Sequence, residues 1–184
     1  MMNHSADMEH RAIAEFRAQG RRLEGYAAKF GADAHIGAFV ETIAPGAFTA
    51  SLASRPDILA LADHDSKSVL GRTRSGTLRL SEDSKGLAFS LDLPDTRAGR
   101  DILTLAERGD LGGMSFGFTV PADGDHWQAH RRELRNVVLH EISVVSAWPA
   151  YDGTEVALRS IGRSLVRHRA RALSLMKMGV HRWV

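Results

Sequence analysis

The sequence has no cysteine among its 184 residues. That excludes disulfide staples and cysteine-ligated zinc, and it fits a reducing cytoplasmic setting. Long hydrophobic runs are also missing, none approaching the ~20 residues of a membrane span. The opening segment, from Met1 to His10, is polar and lacks the apolar stretch of a secretory signal, so nothing in it directs export. There is no His-Glu-x-x-His pattern of a zinc hydrolase. Acidic residues are absent from 159 to 184, where Arg159, Arg163, Arg167, Arg169, Arg171, Lys177 and Arg182 lie. A tail of that charge suits nucleic acid or an acidic protein surface; its plainer reading is a solvated helix end, since no aromatic stacking pattern accompanies it.

The remainder is ordinary globular material. With 43% hydrophobic and 25% charged residues, the chain can bury a real core and is not disordered throughout. Residues 5–19 are rich in helix formers and closed by Gly20, with Met8, Ala12 and Phe16 four apart, which predicts a helix. Strands are expected over 22–30, 38–43, 86–93, 113–120 and 134–145, with shorter ones between Gly and Ser-Glu-Asp-Ser-Lys turns. Short helices are expected at 47–53 and, capped by Thr96, at 97–108. The order points to an α+β domain, mostly antiparallel, with an N-terminal helical extension at 1–20 and a basic, helical tail at 159–184.

One strand stands out. In Gly109-Asp-Leu-Gly-Gly-Met-Ser115-Phe-Gly-Phe-Thr119, alternation puts Met114, Phe116 and Phe118 on one face and Ser115 and Gly117 on the other. Gly117 strips cover from the serine's face, so another group can approach. A lone serine on a half-buried strand is ordinarily just a polar surface residue. Here a histidine ends an earlier apolar run (Asp63-His64-Asp65), and a carboxylate sits in a later one (His140-Glu141-Ile142). A serine hydroxyl needs an adjacent base to attack at neutral pH. Histidine can take and return that proton, and a carboxylate on the far ring nitrogen holds the imidazole's tautomer.

Six fragments in order carry a family resemblance: Glu24-Gly-Tyr-Ala-Ala-Lys-Phe30; Glu41-Thr-Ile-Ala-Pro-Gly-Ala-Phe48; His64; Leu93-Pro-Asp-Thr96 with Gly99-Arg-Asp101; Gly113-Met-Ser-Phe-Gly-Phe118; and Glu141-Ile-Ser-Val-Val145 with Pro149-Ala-Tyr151. Over roughly residues 22–155, within a domain of 21–158, the chain resembles the prohead (capsid maturation) serine proteases of tailed bacteriophages. The resemblance implies a fold similar to the herpesvirus assembly proteases, a β-barrel-like core with surrounding helices. It implies an endopeptidase inside the immature capsid in the host cytoplasm, acting on the scaffold segment of the major capsid protein and on itself, without a cofactor or membrane. It carries the nucleophile to Ser115, the base to His64 and the third member to Glu141.

The third position keeps an alternative. Strict alternation from Val137 to Val145 puts Leu139, Glu141, Ser143 and Val145 on one face and Val138, His140, Ile142 and Val144 on the other, which favours Glu141. Herpesvirus assembly proteases use a second histidine there, which keeps His140 in view. An oxyanion donor is expected from the N–H of Gly112, Gly113 or Ser115. Metal catalysis by Asp63, His64, Asp65, His126, His130 and His140 is discounted, because their spacings do not converge on one ion and the hairpin histidines read as solvated. The Trp148–Tyr151 break reads as a loop anchor. Arg97 and Arg100 read as solvated helix charges. From other classes, the rivals are a degenerate capsid-binding scaffold acting through its termini and a nucleic-acid-binding module. Inertness to a fluorophosphonate marks the first, and steep salt dependence of DNA retention the second.

Overall fold

A computed structural model describes residues 8–13, 16–54 and 57–147. In chain order the elements are β1 (Glu9–Ile13), β2 (Phe16–Gln19), β3 (Arg22–Lys29), β4 (Ala34–Ile36), β5 (Phe39–Ile43), α1 (Thr49–Ala53), β6 (Leu59–Ala62), β7 (Asp65–Arg72), β8 (Leu78–Glu82), β9 (Gly86–Asp92), α2 (Arg97–Arg108), β10 (Gly113–Thr119), β11 (Asp125–Gln128), β12 (Arg131–Leu134) and β13 (Val138–Val145). The strands form three sheets, ordered β1-β10-β13-β6-β7, β11-β12-β5-β4 and β2-β3-β9-β8. Each ends in edge strands and none closes on itself, so the barrel-like core expected from the resemblance becomes a set of open sheets. Pairing is antiparallel, as expected, except for β5 with β12 and β6 with β13.

Alternating sequence makes these strands amphipathic, and their apolar faces meet. Met114, Phe116 and Phe118 from β10 join Ile142 and Val144 from β13 and Ala60 from β6, all buried. Phe48, just before α1, stands edge-on to Phe116 at 5.7 Å, and Phe116 stacks on Phe118 at 5.1 Å. Burying one such ring contributes about 1.5–3 kcal/mol, so this aromatic row fixes β10 firmly from behind. Helix α2 begins where Thr96 accepts a hydrogen bond from Gly99 N and stops at Gly109, whose φ of 74° suits glycine.

Two expectations are corrected. Residues 9–13 and 16–19 are strands, not a helix: β1 pairs with β10 and β2 with β3. Helix propensity is a weak prior, and here the hydrogen-bonding edges of two sheets override it. The run expected to extend from Leu134 to Val145 is two strands, because the chain turns through Arg135–Val137, where Arg135 N and Asn136 N both donate to Gly124 O. Residues 148–151 and the basic tail lie outside the described residues.

Candidate active site

The site is built on the β10–β13–β6 part of the first sheet. Ser115 pairs with Ser143 and Gly117 with Glu141 across the β10–β13 ladder, so one pleat face presents all four residues. Ser115 is 2% exposed and Glu141 5%. Strand β6 runs parallel to β13 and ends at Ala62, opposite Val144. The two-residue turn that follows, Asp63-His64, has both residues at positive φ, 48° and 60°. Such hairpin turns favour Asn-Gly, and a histidine held there is an uncommon conformation associated with functional sites. It is fixed from several directions: Asp63 N donates to Val144 O at 2.9 Å, Ser146 N and Oγ donate to the Asp63 carboxylate, and His64 N donates to Ser143 Oγ at 3.3 Å.

The turn aims His64 at Glu141. His64 Nδ1 lies 2.7 Å from Glu141 Oε1, and Ser143 Oγ donates to Glu141 Oε2 at 2.6 Å. Burial pushes the Glu141 carboxyl up, but the polar contacts of His10, His64 and Ser143 outweigh it and hold its pKa down at about 2. An ionised carboxylate only accepts hydrogen bonds, so His64 Nδ1 carries the proton, and in the neutral imidazole the lone pair is then on Nε2. That is the tautomer a general base requires. His64 remains partly open to solvent.

The pleat explains why His140 does not take this place. Gly117 pairs with Glu141 but Phe118 pairs with Leu139, so His140 is the extra residue of a β-bulge. The bulge breaks strict alternation, sends Leu139 into the core, and leaves His140 Nε2 3.0 Å from Thr119 Oγ1. Burial pushes the His140 pKa down, with the Glu141 charge opposing. Gly112 N donates to Val145 O at 2.9 Å, so that N–H is engaged in the sheet rather than held for an oxyanion. Asp65 binds Lys67 N and Ser68 Oγ, and His126 and His130 are exposed on their hairpin. Arg97 and Arg100 pair with Asp101 and Asp95 at the surface.

One residue of the site was not anticipated. His10, on β1 opposite Gly117, has Nδ1 3.1 Å from Glu141 Oε1 and its ring 4.2 Å from that of His64, edge to face. The contact is too poorly aligned for a hydrogen bond, leaving a buried Nδ1 without a partner. Gly117 makes the convergence possible: a Cβ there would stand 2.5 Å from Glu141 Oε1 and 3.0 Å from His10 Cε1. Reading residues 5–19 as a helix hid His10; Glu9-His10-Arg11 is a polar run with no period-two alternation to mark it as a strand.

Ser115 thus shares a pleat face with Glu141, and Glu141 bonds the His64 imidazole: the three residue types of a serine-hydrolase triad lie on one part of the sheet. A family model described as caudovirus prohead serine protease matches residues 6–168. The chain belongs to that family. No curated protein and no solved structure matches it. The family is one of serine proteases of tailed-phage capsid maturation, acting at the prohead. The prohead protease match begins well before residue 22 and so takes in β1 and His10. Among the described residues, no helix is long and apolar enough to cross a membrane.

Proposed function

We propose that this chain is the endopeptidase that trims the major capsid protein inside the prohead, with Ser115 as nucleophile, His64 as general base and acid, and Glu141 as the group that orients His64. The observation that carries this reading is the 2.7 Å contact of His64 Nδ1 with Glu141 Oε1, on the sheet face that Ser115 shares. Ser115 Oγ forms a bond to the scissile carbonyl carbon while its proton passes to His64 Nε2. The same proton then goes to the leaving amine as the C–N bond breaks. Water, deprotonated by His64 in turn, hydrolyses the acyl-enzyme. Glu141, already ionised, needs no protonation change and stabilises the imidazolium formed in each step.

Substrate, place and fold follow the family resemblance: the scaffold segment of the capsid protein, the chain itself, the interior of the immature capsid, and a topology akin to the herpesvirus assembly proteases. The basic residues from Arg159 onward suit a capsid or nucleic-acid contact. The test is mass spectrometry of the capsid protein's N-terminus after co-expression with the native chain or with Ser115→Ala. Trimming is expected with the native chain and none with the variant, which still assembles precursor shells. Normal trimming by Ser115→Ala removes the assignment.

A further inference from the structure

The buried Nδ1 of His10 lies 3.1 Å from Glu141 Oε1 without the alignment of a hydrogen bond. A ring nitrogen and a carboxylate oxygen this close call for a positive charge between them, a proton or a metal ion. The neighbouring His64 Nδ1 approaches the same Glu141 oxygen at 2.7 Å. One ligand atom from each of His10, His64 and Glu141 lies within 4.8 Å of the others. A tetrahedral zinc ion, with Zn–N and Zn–O bonds of ~2.0–2.2 Å, holds its ligand atoms about 3.3 Å apart. The two nitrogen–carboxylate separations, 3.1 and 2.7 Å, already lie near that spacing, and the third is within 4.8 Å, which leaves a fourth position for water or a hydroxyl.

We propose that His10, His64 and Glu141 form an inhibitory site for a borderline divalent cation of the zinc class. Two imidazoles and one carboxylate select such an ion over calcium or magnesium, which prefer all-oxygen surroundings. On binding, the cation takes the lone pair of His64 Nδ1 as the imidazole changes tautomer: the Nδ1 proton is lost and Nε2 takes one up from solvent, so the ring stays neutral. With Nε2 protonated and the pairing with Glu141 lost, the pinned imidazole can no longer take a proton from a nucleophile. His10 has no other hydrogen-bond partner at Nδ1, and Gly117 leaves the room that all three side chains occupy. Of the set discounted from sequence only His64 takes part, and the histidine and carboxylate that complete the cluster, His10 and Glu141, were not in that set.

Binding is measurable apart from proteolysis. On full-length Ser115→Ala protein, which neither cleaves substrate nor itself, zinc is titrated against a chromophoric chelator, and cobalt is followed by its visible absorption. One equivalent is expected, with a tetrahedral cobalt spectrum. Adding His10→Ala or, separately, His64→Ala should weaken zinc binding by at least about 100-fold, more than the loss of an outer partner causes. Adding His130→Ala, at the exposed tip of the β11–β12 hairpin, should leave it unchanged. In the native chain, micromolar zinc should halt capsid-protein trimming while millimolar magnesium does not. Absence of a one-to-one site, or equal affinity in the His10, His64 and His130 variants with folds verified by circular dichroism, overturns the proposal. A capsid protein left untrimmed by native chain without zinc counts against the proteolytic reading and leaves the binding result standing.

Discussion

A methyl group at position 117 would stand 2.5 Å from Glu141 Oε1, closer than real Cβ contacts come, so Gly117→Ala must displace the carboxylate or the strand. The displaced group is the one that orients His64, and a misplacement of about 1 Å in such an arrangement commonly lowers turnover by ~10². We therefore expect Gly117→Ala to reduce kcat for capsid-precursor cleavage by roughly 10²-fold or more, with KM little changed. Steady-state kinetics on a peptide spanning the scissile site checks this; unchanged kcat would show that the carboxylate is not needed in its observed position. Much of this was legible early, since Gly117 was read as clearing the serine's face. Which groups occupy the cleared space was not legible, because that depends on the neighbours of β10 on both sides.

At the scale of elements, a buried ion network ties β1 to the second sheet. Arg11 Nε bonds Glu41 Oε1 at 2.5 Å, and Arg132 bonds Glu9 at 2.6 Å, Glu41 at 3.0 Å and Asp125 at 2.7 Å. Arg132 also lies over the Trp127 ring and Arg11 over Phe118. Removing Arg132 leaves Arg11 as the one cation facing both Glu9 and the buried Glu41, 2% exposed, and strips Asp125 of its arginine. We expect Arg132→Met to destabilise the fold by about 3–5 kcal/mol in urea unfolding. A loss under 1 kcal/mol would mean that the network holds nothing together.

The same network gives the acid limb of stability a sign. Burial pushes the Glu9 carboxyl up, but Arg132 and Arg11 outweigh it and hold its pKa below the ordinary 4.5. Its contribution is therefore complete above about pH 4.5 and is lost as the pH falls through the lower folded value. Glu9→Gln should flatten the fall in melting temperature below about pH 4.5, and a slope matching the native chain would contradict the pairing. Neither charge cluster was visible beforehand. Glu9 and Arg11 fell within the segment expected to be helical, and the strand β1 sets them against Arg132 and Glu41.

For the whole molecule, β1 is both a sheet edge and a wall of the site. Deleting residues 1–13 removes the partner of β10, His10 and the Arg11 bond to Glu41. Unpairing β10 exposes a long strand edge, a known aggregation template. The truncated chain should lose capsid trimming and show a lower melting temperature with concentration-dependent association. A monodisperse, fully active truncation would show that β1 is dispensable. This prediction was out of reach while the segment was read as a detached helix.

What the sequence determined alone is whatever repeats locally. Period-two alternation separated Met114, Phe116 and Phe118 from Ser115 and Gly117, and the Thr96 cap set the start of the helix expected over 97–108, where α2 lies. The ordered motifs also pointed to the prohead protease family that the match to residues 6–168 bears out. Tertiary structure alone decided which distant groups meet. Parallel pairing of β6 with β13 carries His64 across 77 residues to Glu141, and a bulge at His140 removes that histidine from contention. Pairing of β1 with β10 adds His10 to the same carboxylate. The physical reason is that periodicity fixes which face a side chain takes on its own strand. Strand order, register and bulges depend on hydrogen-bond partners far away in the chain, and these decide what stands opposite.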